Sequence, residues 1–190
     1  MSETIFVINA PPLLFTKEDL YNSKFVKNDL NPFIKAIADS FFLSNNFRKN
    51  NKVYFNTQLG EETFQVIFNG DKLRYLGPSF FSAGHLLLRA KNNIINPNSK
   101  KGKLTLGLSI NKGSIDDIFD RYDDAKFYQI TTTNTLKKNY SLDLSDQVNL
   151  FLYGFTEFTG LNHTIIKFSL GPIEIDEQII MTNFLIDRVI

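Results

Sequence analysis

The chain has 190 residues, 43% of them hydrophobic and 22% charged, which is typical of one soluble globular domain. It contains no cysteine, which excludes disulfides, thiolate metal sites and a cysteine nucleophile, and its two histidines leave little for a zinc site. The formal net charge of +1 implies that a polyanionic partner would be met by local patches of charge rather than by the field of the whole chain.

The sequence lacks a membrane signal. No apolar stretch approaches the roughly 18 residues that a membrane-spanning helix needs, and no basic N-terminal segment precedes an apolar run. We therefore expect a soluble cytoplasmic protein that binds neither a metal nor a membrane. The 19 phenylalanines and 7 tyrosines predict an aromatic-rich core.

Strand and helix patterns alternate in the first half of the chain. Apolar residues from Leu30 to Phe42 recur at i, i+3, i+4 and i+7, which predicts one face of a helix. Asn69-Gly70 is typical of a two-residue hairpin turn and predicts that the strand before it pairs with the segment after it. The predicted elements are strands at Thr4–Ile8, Lys52–Phe55, Thr63–Phe68 and Leu73–Leu76, and helices at Leu30–Phe42 and Ser79–Ala90.

The alternation continues after a polar segment, residues 92–103, which is the best candidate boundary within the chain. Strands alternating with helices favour a mostly parallel sheet flanked by helices. The elements predicted here are strands at Leu104–Ile110, Lys126–Thr131, Val148–Tyr153 and Thr164–Leu170, and helices at Ser114–Tyr122 and Ile175–Ile190.

Glycines at strand ends are the main chemical signal in the last third. The sequence has no P-loop, no G-x-G-x-x-G, no H-E-x-x-H and no G-x-S-x-G motif. Gly107, Gly154 and Gly171 each lie at or near a predicted strand, and ligands of open α/β sheets bind outside the carboxyl ends of strands. Glycine there allows a ligand to approach the main chain, but it is also a common turn residue, so both interpretations stay open.

Four segments carry a family resemblance. They are Phe41–Ser44 with Arg48-Lys49, Val66–Leu76 with Pro78, Gly107–Ile110, and Ser169–Pro172 with the ending Ile179–Arg188. In this order they resemble the TrmY family of archaeal tRNA pseudouridine N1-methyltransferases, of the SPOUT class, over roughly residues 28–190. Ser-Leu-Gly-Pro together with the terminal Ile-Asp-Arg is the most specific part of the resemblance.

The resemblance implies an α/β SPOUT fold, a mostly parallel sheet flanked by helices with a C-terminal deep trefoil knot, a rare topology. Residues 1–190 would form one domain, in which an N-terminal half at 1–91 with a β-hairpin extension precedes a knot-forming, cofactor-binding half at 104–190. It also implies a homodimer, which suits the apolar closing helix. S-adenosyl-L-methionine would be held, mainly by backbone groups, at Tyr153, Gly154, Leu170, Gly171, Pro172, Gln178 and Ile179.

The implied reaction is transfer of a methyl group to N1 of the pseudouridine at position 54, in the T-arm of tRNA. N1 must lose a proton, and the base must be turned out of its loop to reach the methyl group. Asn31 and Lys35 stand where the family has aspartate and arginine, and they are the candidate catalytic residues, although an asparagine amide cannot serve as the base.

Two basic clusters are available for RNA phosphates. The resemblance favours the cluster of Arg48, Lys49 and Lys52 as the RNA contact. The second cluster contains Lys100, Lys101 and Lys103, and solubilising loop charge explains it equally well.

The chain departs from the family at the loop after Val148–Tyr153, which reads Gly154-Phe155-Thr156-Glu157-Phe158 where the family usually has Gly-Asp-His-x-Gly. Asn45 replaces a histidine, and Gln178 aligns with a cysteine. Two alternatives stay open: a ribosomal RNA pseudouridine N1-methyltransferase of the related SPOUT family, and a non-catalytic dimeric RNA-binding protein that has lost the methyl donor.

Overall fold

The computed structural model describes residues 3–22, 29–43, 46–132, 142–144, 148–155 and 163–189. Within these residues the helices are α1 (Lys17–Leu20), α2 (Asn31–Phe41), α3 (Phe80–Ile95), α4 (Asp116–Arg121) and α5 (Ile175–Val189). The strands are β1 (Glu3–Asn9), β2 (Phe42–Leu43), β3 (Asn46–Phe47), β4 (Asn51–Leu59), β5 (Glu62–Asn69), β6 (Leu108–Lys112), β7 (Lys126–Thr131), β8 (Val148–Tyr153) and β9 (Ile165–Ser169).

Seven of the described strands form one sheet in the order β6-β5-β4-β1-β8-β7-β9. The five strands from β4 to β9 in this order are parallel, whereas β5 is antiparallel to both of its neighbours. The predicted mostly parallel α/β sheet is therefore confirmed. Its central strands are apolar runs because both faces are covered, and Ile5–Ile8 and Leu150–Tyr153 are completely buried.

Helices cover both faces of the sheet. The larger core lies under α2, α3 and α5, where Phe6 stacks on Phe151 and Tyr153. The smaller core lies under α4, which inserts Ile118 and Phe119 against the opposite face. The aromatic residues thus fill the interior, as the composition indicated. No helix in the described part of the chain is both long and apolar enough to cross a bilayer.

The predicted hairpin at Asn69-Gly70 is wrong. The structure instead pairs β4 with β5 around Gly60 and Glu61, with Leu59 opposite Glu62, and residues 73–76 form no strand. The other edge of β5 is taken by β6, so no edge of β5 is left for a strand at 73–76. Gly70 serves a local contact, since its amide donates to the Asn51 carbonyl oxygen at 3.0 Å.

Several bounds differ from the prediction; for example, β4 extends to Leu59 rather than ending at Phe55. β6 begins at Leu108 rather than Leu104, because Gly107 adopts a left-handed turn with φ of 80°. α3 continues to Ile95 rather than Ala90, so the polar segment that follows it is shorter than the pattern indicated. The strands β7 and β8 have the predicted limits.

Candidate functional site

The turns that follow β8 and β9 lie at the same edge of the sheet, on either side of β7. Gln129 of β7 donates from Nε2 to the Phe155 carbonyl oxygen at 3.1 Å. Thr131, at the end of β7, accepts from the Leu170 amide at 3.3 Å. Because neighbouring strands are about 4.8 Å apart, the two turns face each other across roughly 10 Å.

Gly154, directly after β8, adopts a backbone conformation that other residues rarely use. Its φ is 76°, and a Cβ atom built on it would lie 2.6 Å from the carbonyl oxygen of Asn9. Asn9 in turn donates from Nδ2 to the Gly154 carbonyl oxygen at 3.2 Å. Glycine is therefore required here, because the main chains after β1 and β8 approach too closely for a side chain.

Gly171, in the turn after β9, needs its conformation for a different reason. Its φ is 88° and its carbonyl oxygen accepts from the Ile173 amide at 2.9 Å, which closes a tight turn. Gly171 is buried, yet a Cβ atom built on it would have no atom within 4 Å. A buried main chain with such space beside it is suited to a ligand that contacts the backbone directly.

Side chains from α5 hold these turns from the inner side. Gln178 donates from Nε2 to the Ile173 carbonyl oxygen at 2.8 Å, and Thr182 accepts from the Tyr153 hydroxyl at 2.8 Å. Burial raises the pKa of Tyr153, so this hydroxyl remains a donor. Ile179 is fully buried in the core. Tyr153, Gln178 and Ile179 thus lie behind the turns and support them. The main chain of Gly154 and of Leu170–Pro172 lies at the carboxyl ends of the strands.

The candidate catalytic residues lie on one face of α2. Asn31 is in its first turn and is 4% exposed, and Lys35 follows one turn later. Lys35 Nζ lies 3.8 Å from Oδ2 of Asp176, in the first turn of α5. The structure therefore brings Lys35 next to the helix that follows the Gly171 turn.

Sequence reasoning missed two carboxylates beside Lys35. Asp39 lies one turn beyond Lys35, and its pKa is raised to about 6, mainly by burial and also by the charge of Asp176, while Lys35 opposes the shift. The Oδ1 atom of Asp176 is buried with no hydrogen-bond partner among the described residues. The spacing of 31, 35 and 39 was a usable signal for Asp39, whereas Asp176 joins the group through the packing of α2 on α5.

The predicted RNA contacts separate in the structure. Arg48 Nη2 lies 2.5 Å from Oδ2 of Asp187 near the end of α5. Lys52 Nζ lies 2.6 Å from Oε1 of Glu3 and donates to the Tyr122 hydroxyl, on the side of the sheet that α4 covers. Lys49 is exposed. Two of the three cations therefore have intramolecular partners, and the prediction of RNA binding at these residues stays untested.

Metal ligands do not converge in the described part of the chain, where no group of three or more acidic or histidine side chains could hold an ion.

No family model matches the chain. A tRNA (pseudouridine(54)-N(1))-methyltransferase of Methanocorpusculum labreanum is 30% identical over 148 residues, which cover 73% of this chain and 71% of that protein. The chain belongs to the tRNA (pseudouridine(54)-N(1))-methyltransferase family. This confirms the family predicted from the colinear segments, and it makes the chain an RNA methyltransferase.

The sequence departures that the resemblance indicated begin directly after Gly154, in the turn that follows β8. Gly154 and Phe155 are described, and residues 156–158 of this loop lie outside the described residues. The same holds for Ser44 and Asn45. The departures from the family at residues 45 and 156–158 therefore remain known from the sequence alone.

Proposed function

We propose that this protein transfers a methyl group from S-adenosyl-L-methionine to N1 of the pseudouridine at position 54 in the T-arm of tRNA. The similarity to the M. labreanum enzyme over 148 residues carries this proposal. The glycine turns at one edge of the sheet support it, since they offer main chain to a ligand where open α/β sheets bind theirs.

The residues at this edge fit the methyl donor. Gly154 and Gly171 both have left-handed conformations, and the space beside buried Gly171 is what a backbone-bound ligand requires. We assign the contacts to the main chain of Gly154, Leu170, Gly171 and Pro172, with Tyr153, Gln178 and Ile179 holding these turns in place. When bound, the sulfonium of S-adenosyl-L-methionine supplies an electrophilic methyl group.

The deep trefoil knot belongs to the same proposal. Support comes from the path of the last segment, which leaves the edge strand β9 and returns as α5 to the middle of the molecule. There Thr182 accepts from Tyr153 of β8, and Asn183 donates from Nδ2 to the Asp39 carbonyl oxygen at 2.9 Å. Because β7 lies between β9 and β8 in the sheet, the last segment passes β7 on its way back to β8. We keep residues 1–190 as a single domain with this knot in the half at 104–190.

Removal of the N1 proton requires an acceptor, and the charged group at the start of α5 offers one. The Asn31 amide cannot act as a base, and the Lys35 ammonium is a donor only. Asp176 is the carboxylate beside Lys35; its Oδ1 atom is buried with no hydrogen-bond partner in the described part of the chain, but its side chain is 14% exposed and can be reached from solvent. We propose that Asp176 is the base that accepts the N1 proton, and that Lys35 positions its carboxylate.

The proposed homodimer uses the outer face of α5. Ile180, Met181 and Phe184 are 40%, 43% and 45% exposed on neighbouring turns of this helix. Adjacent exposed apolar side chains are typical of association surfaces, and a two-fold axis would pair the two copies of α5. We also propose that the enzyme acts in the cytoplasm, where a chain without cysteine is compatible with the reducing conditions.

The deciding experiment is mass spectrometry of T-arm nucleosides after incubation with S-adenosyl-L-methionine and a tRNA that carries pseudouridine at position 54. We expect N1-methylpseudouridine at that position. Methylation of a ribosomal RNA fragment but not of tRNA would favour the ribosomal alternative. Calorimetry without heat of donor binding, together with no product, would favour the non-catalytic RNA-binding protein.

The role of Asp176 has its own test. Replacing it in Asp176→Asn keeps the shape and removes the acceptor, so turnover should fall by roughly 100-fold or more. The dissociation constant of S-adenosyl-L-methionine should stay within about threefold of the original, because the carboxylate is assigned to the proton and not to the donor. Unchanged turnover would exclude Asp176 as the base.

A further inference from the structure

A wide groove of about 1380 Å³ runs along α3, far along the sheet from β9. Its walls are the segment after β1, the outer face of α3, residues 74–75 and residues 100–106. We call it the basic groove. Its lining includes Lys17 and six further cations: Arg74, Arg89, Lys91, Lys100, Lys101 and Lys103.

Charge is distributed very unevenly between the basic groove and the rest of the protein. Of the described residues that line the groove, seven belong to the 21 lysines and arginines of the chain, and one, Glu18, belongs to its 20 acidic residues. The remainder of the chain therefore carries 14 basic and 19 acidic residues. A net charge of +1 conceals a concentrated positive region on a negatively charged body, and such a region attracts a polyanion locally.

Most of these cations are available to a ligand. Lys17, Arg74, Arg89, Lys100, Lys101 and Lys103 are all exposed, and no ion pair within the described part of the chain involves them. Lys91 differs, because its Nζ donates to the Phe15 carbonyl oxygen at 2.8 Å and is attracted by the negative charge of Asp19. Six cations thus face the groove without an acidic partner.

The segment that carries the lysines is braced against its neighbours. Gly102 packs so closely on α3 that a Cβ atom on it would lie 2.8 Å from Asn93 Cα, and Asn93 donates from Nδ2 to the Gly102 carbonyl oxygen at 3.0 Å. Gly107 is in still closer contact with Leu73, since a Cβ atom on it would lie 2.4 Å from Leu73 Cα. These contacts hold in place the main chain that carries Lys100, Lys101 and Lys103.

Tyr75 adds an aromatic surface to the groove. It is 79% exposed. Its φ is 66°, and no other non-glycine residue in the described part of the chain has a positive φ. This left-handed conformation is unfavourable for a residue that carries a Cβ atom. The adjacent Arg74 amide is held by the Leu106 carbonyl oxygen at 3.2 Å, which fixes the segment. Exposed aromatic rings among cations are how proteins stack unpaired nucleic-acid bases.

We propose that the basic groove binds the phosphodiester backbone of the substrate tRNA, and that Tyr75 stacks on one of its unpaired bases. This rests on the proposed function, since it supplies the surface that an enzyme acting on tRNA needs apart from the methyl-donor turns. Arginine and lysine side chains pair with phosphate oxygens, and a row of such contacts follows an RNA strand.

The test compares two double variants that remove the same charge. Lys101→Gln with Lys103→Gln removes two of the seven groove cations, and Lys112→Gln with Lys167→Gln removes two exposed lysines outside the groove, of which Lys112 is paired with Glu62 at the surface. The probe is a synthetic T-arm hairpin that contains pseudouridine, titrated over a series of salt concentrations. The groove variant should bind it roughly tenfold or more weakly and with a salt slope smaller by about two, and the control variant within about twofold of the unaltered protein.

Tyr75 is tested separately with Tyr75→Phe and Tyr75→Gly. Phenylalanine keeps the stacking surface and should keep the hairpin affinity. Glycine relieves the left-handed conformation, so the variant should fold at least as well while it binds the hairpin several-fold more weakly. A loss of affinity without a loss of thermal stability distinguishes a contact with RNA from a structural role.

The outcomes distinguish the basic groove from the proposed reaction. Equal losses in both double variants, or no loss in the groove variant, would overturn the basic groove as the RNA surface even if the protein methylates tRNA. Failure of the unaltered protein to bind the hairpin would overturn it as well, and so would binding to anionic phospholipid vesicles in place of RNA. Groove-dependent hairpin binding without any methylation would support the groove and contradict the proposed reaction.

Discussion

The carbonyl oxygen of Asn9 lies 2.6 Å from the point that a Cβ atom on Gly154 would occupy, so the ends of β1 and β8 tolerate no side chain between them. Gly171, at the other turn of the same edge, has no atom within 4 Å of the corresponding point. Two glycines with similar positive φ values therefore have opposite surroundings, and substitutions at them should separate folding from ligand binding.

Gly154→Ala should destabilise the fold. The methyl group would collide with main chain that cannot move away as a flexible side chain could, and the left-handed conformation adds about 1–2 kcal/mol. We expect the free energy of unfolding to fall by about 2 kcal/mol or more, measured by urea denaturation. A variant as stable as the unaltered protein would show that the ends of β1 and β8 are farther apart than described.

Gly171→Val should abolish binding of S-adenosyl-L-methionine while the protein stays folded. The valine side chain would meet no neighbouring atom at its Cβ, so the cost to folding is mainly the conformational strain of about 1–2 kcal/mol. The same side chain would occupy the space assigned to the methyl donor. Calorimetry that shows normal binding by this folded variant would remove Gly171 from the site.

Asp39 predicts a pH dependence of stability. Its pKa in the folded protein is about 6, against 3.8 as the ordinary value, so the folded state holds the proton more tightly than the unfolded chain does. The stabilisation that the protonated carboxyl gives the folded state is fully present below pH 3.8 and is lost as the pH rises through about 6. Asp39 therefore makes the protein less stable at pH 7 than at pH 4.

Asp39→Asn should remove that dependence. At pH 7 we expect the variant to be about 1 kcal/mol more stable, a value reduced for the partial exposure of the carboxyl, and the two proteins should converge near pH 4. Urea denaturation at several pH values measures the difference. Parallel curves for the two proteins between these pH values would show that Asp39 titrates at its ordinary pKa.

The predicted RNA contacts Arg48 and Lys49 should behave differently. Arg48→Gln should lower the free energy of unfolding by about 1 kcal/mol, because the partly buried guanidinium is paired with Asp187. Asp187→Asn should reproduce this loss. Lys49→Gln should leave stability unchanged, since Lys49 is exposed and makes no ion pair within the described residues.

Lys49→Gln is therefore the cleaner test of RNA binding at this segment. A weaker affinity for the T-arm hairpin in this variant would support the contact predicted from the sequence. If its affinity is unaltered while the groove variant loses affinity, RNA binds along α3 and not at residues 48–52.

Phe184→Glu should convert the proposed dimer to a monomer. The charge would be placed on the apolar face formed with Ile180 and Met181, where association would have to desolvate it together with the Arg188 guanidinium, which lies 4.3 Å from the centre of the Phe184 ring. Sedimentation velocity measures the change, with Leu14→Glu as the control because Leu14 is a 77% exposed apolar residue away from α5. A Phe184→Glu protein with the sedimentation coefficient of the unaltered dimer would place the interface elsewhere.

The sequence patterns predicted most of the elements correctly. The period of apolar residues located α2, and apolar runs located β7 and β8 with their limits, because both signals are local and depend on which face is buried. The hairpin at Asn69-Gly70 failed for an equally clear reason. A turn sequence indicates only that the chain can reverse direction there. Both edges of β5 are paired, with β4 and with β6, so residues 73–76 cannot pair with it.

The candidate site divides in the same way. Glycine at 154 and 171 was visible in the sequence, and so was the family, through short motifs in the right order. Which glycine abuts main chain and which borders open space could not be predicted, because that depends on how closely β1 approaches β8. Lys35, Asp39 and Asp176 became one electrostatic group through the packing of α2 on α5.

By itself the sequence determined the α/β class, the positions of most strands and helices, and membership in a methyltransferase family, since periodicity and motif order are properties of neighbouring residues. The tertiary structure alone decided that Arg48 and Lys52 are paired internally while cations from four separate segments line the basic groove. The physical reason is that charges interact over distances in space, and the distance between residues such as Lys17 and Lys101 is set by the fold and not by the chain between them.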